Sequence, residues 1–317
     1  MDDVARLTAR TEFPLTTALK VLAIRKTRFY DWKKRYGQKN CHNGQIPKDS
    51  WILPSERQSI VDYYSKNPGN GCRRLAYMMM DENVVFVSGN TVHRVLSAEG
   101  LINKASHKPS KKGKGFDQPT KPHEQWHIDV SYINAGGTFY YLCSILDGYS
   151  RFIVHWELSE SMKEERVEMI VQRALENAGH CNPRLISDNG PQFKAREFKV
   201  FIRLCGMDQT FTSPYYPQSN GKIERWHKEL KQTCIRPRQP RNLDEAKRYV
   251  SEFIEHYNYA RLHSAIGYVT PYDKLLDLDT ELKAERKKKL EDARDARKRA
   301  WKQIQRQTRE KELAISA

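Results

Sequence analysis

Three acidic residues occupy positions where a carboxylate is costly unless it has a partner. Asp129 lies inside the β-prone run WHIDVSYI, Asp188 follows the apolar run RLIS and precedes an Asn-Gly turn, and Glu224 lies in the first turn of the basic helix GKIERWHKELK. Carboxylates in strands or at strand ends are normally paired or metal-bound. Because strand ends and a flanking helix meet at one edge of an α/β sheet, these three acids can converge although they are far apart in sequence.

Three clustered acids repel one another, and one or two Mg²⁺ ions relieve that repulsion because Mg²⁺ prefers oxygen ligands. Two such ions about 4 Å apart suit in-line displacement at phosphorus, where one activates the attacking water or 3′-hydroxyl and the other stabilises the leaving oxygen. The carboxylates would then be metal ligands rather than nucleophiles. Spacing alone leaves an alternative open, since an Asp before Asn-Gly often caps a turn.

The region from Gln125 onward alternates strands and helices. Three β-rich runs separated by NAGG and GYS predict an antiparallel meander. The segments that follow predict a helix at about 162–178, the strand RLISD, a helix at about 195–205, the strand MDQTFT and the helix with Glu224. This order predicts an α/β core with a mixed five-stranded sheet and helices on both faces. A further helix at about 243–259 is expected to pack its apolar side against that core.

Residues 14–35 predict two short helices joined by a turn, which is the layout of a helix-turn-helix. Phe29, Tyr30 and Trp32 are expected to face inward. A packing module with a solvated basic face is the alternative. The candidate DNA contacts on the outer face are Lys26, Arg28 and Lys33.

A second helical unit is predicted at about 53–101. Its last part, VSGNTVHRVLSAEGL, offers Ser88 or Asn90 as the N-cap and Gly100 as the stop, and it is a candidate recognition helix. His93 taken alone could equally be a surface histidine without a role. The expected DNA contacts are Thr91, His93 and Arg94 in the groove, with Arg73 and Arg74 on phosphates.

The charge balance indicates a polyanionic partner. Lys and Arg number 55 against 39 Asp and Glu, giving a formal charge of +16, which favours nucleic acid first and an anionic membrane surface second. No apolar run approaches the roughly 20 residues that span a bilayer, and the N-terminus lacks the layout of a signal peptide, so an intracellular, soluble protein is expected. Six scattered cysteines favour free thiols in a reducing compartment.

Composition also predicts the domain boundaries. Residues 104–122, KASHKPSKKGKGFDQPTKP, are rich in Lys and Pro and cannot build a core, which is typical of a linker. The basic tail could contact DNA, contact another subunit or be simply solvated. The expected segments are a first helix-turn-helix at 1–50, a second at 51–103, the basic linker at 104–122, the catalytic core at 123–276 and a basic helical tail at 277–317.

The motifs WHIDVSYI, ISDNGPQF and SPYYPQSNGKIERWHKELK resemble the catalytic core of the retroviral-integrase superfamily of DDE transposases, above all that of bacterial insertion-sequence transposases. Thirty-five residues lie between Asp188 and Glu224. The resemblance spans about 125–275, and VSGNTVHRVLSAEGL is similar to the helix-turn-helix that precedes the core in these transposases.

The resemblance implies an RNase H-like fold with Asp129, Asp188 and Glu224 as the metal triad. It also implies two Mg²⁺ or Mn²⁺ ions and cut-and-join chemistry on the terminal inverted repeats of a mobile element. Asp147 stands at a strand end, but the family pattern gives the acid there no metal, so a structural turn role is expected. Helical spacing independently places positions 224, 228 and 231 on one face. The implied contacts to the DNA end are Gln218, Asn220, Lys228 and Lys231.

Two other functions remain as alternatives to a transposase. One is a non-catalytic DNA-binding regulator with a degenerate core. The other is an RNase H-like nuclease without strand transfer, in which Glu164, Glu165 or Glu168 would supply a fourth acid. For a transposase, the expected partners are the terminal repeats, target DNA, further copies of the chain assembled on DNA and a protein from an upstream reading frame, with no membrane. The expected location is the bacterial cytoplasm, at the nucleoid.

Overall fold

The chain forms two compact units, one from residues 1–51 and 297–317 and the other from residues 52–296. Each unit is described separately. The computed structural model describes residues 2–10, 14–37, 51–102, 118–179, 181–212 and 220–315.

The first unit contains three short N-terminal helices around a small core of Val4, Leu19 and Phe29. The prediction that Tyr30 and Trp32 also face inward is wrong, because their side chains are 49% and 40% exposed. Successive helical residues are about 100° apart, so Tyr30 and Trp32 diverge by about 200° and cannot both share the buried face. The helices are α1 (Asp2–Arg10), α2 (Leu15–Val21) and α3 (Lys26–Arg35).

The second unit begins with three helices around their own apolar core. Ser88 caps the third helix by accepting a hydrogen bond from the Thr91 backbone N–H at 3.3 Å, and Gly100 follows its end with a φ of +70°, a conformation that favours glycine. Both features match the sequence prediction. The helices are α4 (Pro54–Lys66), α5 (Cys72–Asp81) and α6 (Gly89–Ala98).

A mixed five-stranded sheet follows, in the order β3-β2-β1-β4-β5. The first three strands form the predicted antiparallel meander, and β4 and β5 continue the sheet parallel to β1. Gly136 and Gly137, with φ of +59° and +87°, form the tight turn between the first two strands. The strands are β1 (Gln125–Ala135), β2 (Thr138–Asp147), β3 (Ile153–Ser159), β4 (Arg184–Ser187) and β5 (Asp208–Phe211).

Helices cover both faces of the sheet, as predicted. Trp126 and Ile128 of β1 belong to the core beneath α7 and α9, whereas Ile133 and Ala135 belong to the core beneath α10 and α12. Alternate residues of a strand point to opposite faces, so Asp129 shares the face covered by α10. The helices are α7 (Glu164–Ala178), α8 (Pro191–Lys194), α9 (Arg196–Leu204), α10 (Gly221–Leu230), a π-helical turn (Lys231–Ile235), α11 (Arg236–Arg238), α12 (Leu243–Tyr259), a 3₁₀ turn (Ser264–Ile266), α13 (Pro271–Leu275) and α14 (Asp279–Ile315).

Within the second unit, α14 ties the helical part to the end of the core. Arg286 donates to both carboxylate oxygens of Asp81 at 2.8 and 2.6 Å and to the Tyr268 carbonyl at 2.8 Å. The Tyr77 and Tyr268 rings stack at 5.0 Å, with the Arg286 guanidinium over Tyr77. The predicted helical tail is therefore present, and its first turns have a structural role. No helix in the described ranges is long and apolar enough to span a membrane.

Candidate active site

Asp129 lies in the middle of β1, directly opposite Ser144 of β2. Its side chain is 16% exposed on the face that α10 covers. The sheet thus holds this carboxylate rigidly, with one side open toward the helix. A partly buried strand acid with an open side is consistent with a ligand role.

Asp188 follows directly after β4. In the parallel pairing of β1 with β4, His127 lies opposite Ile186, so the same register carried two residues further places Asp188 level with Asp129. One Asp188 oxygen accepts from the Gly190 backbone N–H at 3.0 Å. The adjacent turn is fixed because the Asn189 side chain donates to the Thr212 carbonyl at 2.8 Å.

Glu224 comes to the same edge from α10. The helix buries Ile223, Trp226 and Leu230 in the core beneath it, which leaves Glu224 on an exposed side. A pocket of about 300 Å³ opens between this helix and β1. It is lined by Asp129, Ser131, Glu224, His227, Lys228, Lys231, Gln232 and Arg236.

The three acids interact electrostatically. The pKa of Glu224 is raised by burial and then by the charges of Asp129 and Asp188. The pKa of Asp188 is raised by burial and by Asp129, against the opposing effects of the Gly190 N–H and Lys194. The negative charges therefore destabilise one another in the absence of a cation.

The donor set fits a hard divalent cation. All three groups offer carboxylate oxygens, which Mg²⁺ and Mn²⁺ accept as ligands. Among the residues that the structure describes, no three acids, histidines or cysteines converge closely enough to hold a metal by themselves. Such a site would be completed by water or by substrate oxygens, which is the ordinary way that proteins bind Mg²⁺.

Comparisons with known proteins agree with this geometry. A family model described as an integrase core domain matches residues 119–217, and a second with the same description matches residues 205–271. The transposase of insertion sequence element IS904 from Lactococcus lactis is 28% identical over 198 residues, which cover 58% of this chain and 78% of that protein. InsK, the transposase assigned to insertion sequence element IS150 of Escherichia coli, is 24% identical over 278 residues, or 83% of this chain and 94% of that one.

Residues 119–271 thus match an integrase core domain, and the chain is similar to insertion-sequence transposases. The integrase core domain is that of a polynucleotidyl transferase. Among solved structures, the catalytic core domain of HTLV-2 integrase in complex with magnesium is 18% identical, with a TM-score of 0.41 over 49% of this chain and 97% of its own.

Two lysines line the acidic pocket, as their helical spacing predicts. Lys228 is exposed, and Lys231 is half-buried. Burial lowers the pKa of Lys231, and the Asp129 charge acts in the opposite direction. A positive charge beside the acids would attract a phosphate group.

His227 is a site residue that the sequence reasoning missed. His227 belongs to α10, and its side chain is buried between this helix and the sheet. Its Nδ1 lies 3.1 Å from Oδ2 of Asp129, and its Nε2 lies 2.7 Å from the Ser144 hydroxyl. The available signal was its position three residues after Glu224, which places it one turn along the same helix.

The two predicted contacts in the segment before α10 have different outcomes. Gln218 lies outside the described residues. Asn220 is 2% exposed, and its amide donates to the Ile128 carbonyl at 3.3 Å. The prediction that Asn220 contacts DNA is therefore corrected to a structural role, because its side chain is buried against the backbone of β1.

Lys222 was also missed. Its ammonium group donates to the Gly148 carbonyl at 3.0 Å, and burial together with the Arg151 charge lowers its pKa to about 7. This lysine fastens the start of α10 to the turn after β2. It therefore positions the helix that carries Glu224.

Asp147 has the structural role expected for it. It is fully buried, and its carboxylate accepts from the His123 N–H, the Ser150 N–H and the Ser150 hydroxyl at 3.0, 2.7 and 2.6 Å. The acids suggested as a fourth ligand lie on α7, which covers the face of the sheet opposite to α10. Those acids are Glu164, Glu165 and Glu168.

The DNA contacts predicted on the helical units are mostly exposed. Thr91 is half-buried, and its hydroxyl lies 3.1 Å from that of Ser88. Arg74 departs from the expectation, because its Nε donates to the Leu262 carbonyl at 3.0 Å and its Nη1 to Asn70 at 3.3 Å. The phosphate role of Arg74 is accordingly replaced by a structural one. The exposed candidates are Lys26, Arg28, Lys33, Arg73, His93 and Arg94.

Proposed function

We propose that this transposase binds the terminal inverted repeats of its element, nicks the ends and joins each liberated 3′-hydroxyl to target DNA. The observation that carries the proposal is the electrostatic coupling of three acids: the pKa of Glu224 is raised by burial and then by the charges of Asp129 and Asp188, and the pKa of Asp188 is raised by burial and then by the charge of Asp129. A cation bound there would relieve this repulsion and supply the charge that in-line displacement at a phosphodiester needs.

The three carboxylates would hold two Mg²⁺ ions, for which Mn²⁺ can substitute. When bound, this pair would activate the attacking water or 3′-hydroxyl and stabilise the leaving oxygen of an in-line displacement. The protein would contribute rigid placement: β1 and β4 would fix the two aspartates, and α10 would hold Glu224 beside them.

Lys228 and Lys231 would hold the phosphates next to the scissile bond. They lie one and two helical turns beyond Glu224 and line the same pocket. Gln218 is proposed as a further contact with the DNA end on the resemblance alone. These contacts would orient the strand end without reading its sequence.

Recognition of the terminal repeats is assigned to the two helical units. In the second, α6 is capped by Ser88 and presents His93 and Arg94 to solvent, as a recognition helix must. In the first, Lys26, Arg28 and Lys33 are exposed on α3. Since two element ends must be paired before joining, at least two copies of the chain are expected on the DNA.

The test is a strand-transfer assay with a labelled terminal-repeat oligonucleotide in Mg²⁺, using gels that separate hydrolysed from joined product. Asp188→Asn should bind the oligonucleotide normally but neither nick nor join it. Asp208→Asn is the matched control, because Asp208 is exposed on the neighbouring strand β5. Equal joining by Asp188→Asn and wild type would contradict the proposal, and hydrolysis without joined product would favour a nuclease.

A further inference from the structure

A continuous chain of hydrogen bonds crosses the floor of the acidic pocket. His227 lies 2.7 Å from the Ser144 hydroxyl through Nε2 and 3.1 Å from Oδ2 of Asp129 through Nδ1. Ser144 is fully buried and His227 is 4% exposed, so the imidazole and its serine partner are shielded from solvent. The arrangement is therefore a fixed part of the protein interior.

The backbone makes this contact specific to one helical position. Asp129 and Ser144 are directly paired residues of β1 and β2, and their side chains project to the same face at short distance. His227 descends from α10 onto both of them. Because Glu224 lies three residues earlier on that helix, the imidazole links the strand acid to the helix that carries the other acid.

The direction of each hydrogen bond follows from the chemistry of the groups. An ionised carboxylate can only accept, so Nδ1 of His227 carries the proton and donates to Asp129. In the neutral ring, Nε2 then accepts from the Ser144 hydroxyl. The Asp129 carboxylate thus sets the tautomer of the imidazole, and the Ser144 hydroxyl helps to fix its orientation.

We propose that His227 is a positioning residue for Asp129, with Ser144 as its support. By occupying Oδ2, the imidazole fixes the rotation of the carboxylate and leaves Oδ1 to ligate a metal ion. No hydrogen bond joins Oδ1 to the residues that the structure describes. This inference rests on the proposed function, since it assigns His227 to the same metal site.

Two substitutions distinguish the contribution of the hydrogen bond to Asp129 from that of the hydrogen bond to Ser144. In His227→Asn, the amide nitrogen can occupy the place of Nδ1 and keep the donor to Asp129, while the contact with Ser144 is lost. In His227→Gln, the longer amide can reach Ser144 but has no donor at the Nδ1 position. Both variants are polar and similar in size, so they disturb the core to a similar degree.

The measurement is the Mn²⁺ affinity of each full-length variant, from electron paramagnetic resonance of free Mn²⁺, together with the Mn²⁺ dependence of strand transfer. His227→Gln should weaken Mn²⁺ binding by about 10–100-fold, the usual effect of losing an orienting partner of a metal ligand, and His227→Asn should stay within about threefold of wild type. Ser144→Ala should have a Mn²⁺ affinity between those of the two His227 variants. Circular dichroism melting identifies any variant that fails to fold.

The outcomes distinguish this inference from the proposed function. If wild type joins ends and Asp188→Asn does not, while a folded His227→Gln binds Mn²⁺ like wild type, the positioning role alone is overturned. Equal losses in folded Asn and Gln variants would also overturn it, since the donor to Asp129 would then not be the cause. If wild type itself neither binds Mn²⁺ nor joins ends, the proposed function fails first.

Discussion

Asp129 and Asp147 lie on neighbouring strands of one sheet and have different environments. Three donors satisfy the carboxylate of Asp147, which is fully buried. Among the residues that the structure describes, Asp129 receives a hydrogen bond only from the imidazole of His227, and it opens onto a pocket with Glu224. The difference shows that a strand acid becomes available to a ligand when the fold leaves part of its hydrogen-bonding capacity unused.

The same distinction separates the basic residues. Arg74 and Lys222 donate to main-chain carbonyls, at Leu262 and Gly148 respectively, and so hold the protein together. Lys228 lines the acidic pocket and is exposed. Residue type therefore predicts charge, whereas the local donors and acceptors decide whether that charge faces a substrate.

The largest expected effect concerns catalysis. Asp129→Asn should reduce strand transfer by more than about 100-fold, the upper end of losses caused by changing only an orienting partner of a metal ligand. The physical reason is that the amide replaces an anionic metal ligand with a neutral one. Initial rates of joined product, with repeat binding measured in parallel, provide the check.

Asp147→Asn is the comparison variant in the same assay. Rates should be normalised to the folded fraction, after which Asp147→Asn should retain most of the wild-type rate. A folded Asp147→Asn protein as inactive as Asp129→Asn would break the division of roles between the two acids.

The second effect is stabilisation by metal. Because Mg²⁺ would relieve repulsion among Asp129, Asp188 and Glu224, it should raise the free energy of unfolding by about 2.7 kcal/mol when present at 100 times its dissociation constant. Thermal melting with increasing Mg²⁺ measures this. Glu224→Gln should remove most of the shift, and a shift of unchanged size in that variant would place the ion elsewhere.

The third effect is the loss of stability when Asp147, whose carboxylate accepts three hydrogen bonds, is substituted. Asp147→Asn should lower the free energy of unfolding by about 1–3 kcal/mol, because the amide NH₂ would face donors that it cannot accept from. Urea denaturation provides the value. Asp208→Asn, on the exposed end of β5, is the control and should be nearly neutral, so an equal loss in both variants would contradict the assignment.

The fourth effect separates two adjacent arginines. Arg73 is exposed, whereas Arg74 is bonded to the Leu262 carbonyl. Arg73→Ala should reduce the slope of the logarithm of DNA affinity against the logarithm of salt concentration by about 1, as expected for one lost phosphate contact. Arg74→Ala should leave that slope unchanged and lower the melting temperature, and the reverse pattern would restore the original prediction for Arg74.

The sequence predicted the elements of the core because its periodicity is strong there. The alternation in WHIDVSYI and TFYYLCSILD follows from two differently covered faces of β1 and β2. The spacing of Glu224, Lys228 and Lys231 also predicted one helical face, and the pocket contains all three. These features depend on local pattern alone.

What the sequence could not predict depends on contacts between distant segments. The Asn220 side chain donates to the Ile128 carbonyl, and the Arg74 side chain donates to the Leu262 carbonyl. These partners lie 92 and 188 positions away in the sequence. The pairing of His227 with Ser144 is likewise a tertiary contact. In the first unit, three short helices bury one aromatic residue of α3 rather than three, a limit set by core size.

The smallest effect concerns the pH dependence of stability and tests the two acids whose pKa values are raised, Asp188 and Glu224. The pKa values of Asp188 and Glu224 are raised in the folded protein, so the folded state takes up their protons before the unfolded chain does as pH falls. Their contribution to stability is thus fully present below the ordinary carboxyl pKa of about 4 and is lost as pH rises through the raised values.

In EDTA at pH 8, Asp188→Asn/Glu224→Gln should therefore melt about 1–3 °C higher than wild type. Near pH 4 the difference should shrink, because the wild-type acids are then largely neutral. Saturating Mg²⁺ at pH 8 should reverse the order, since only the wild type can bind it. A double variant that melts below wild type at pH 8 in EDTA would show that the three acids do not repel one another in the folded protein.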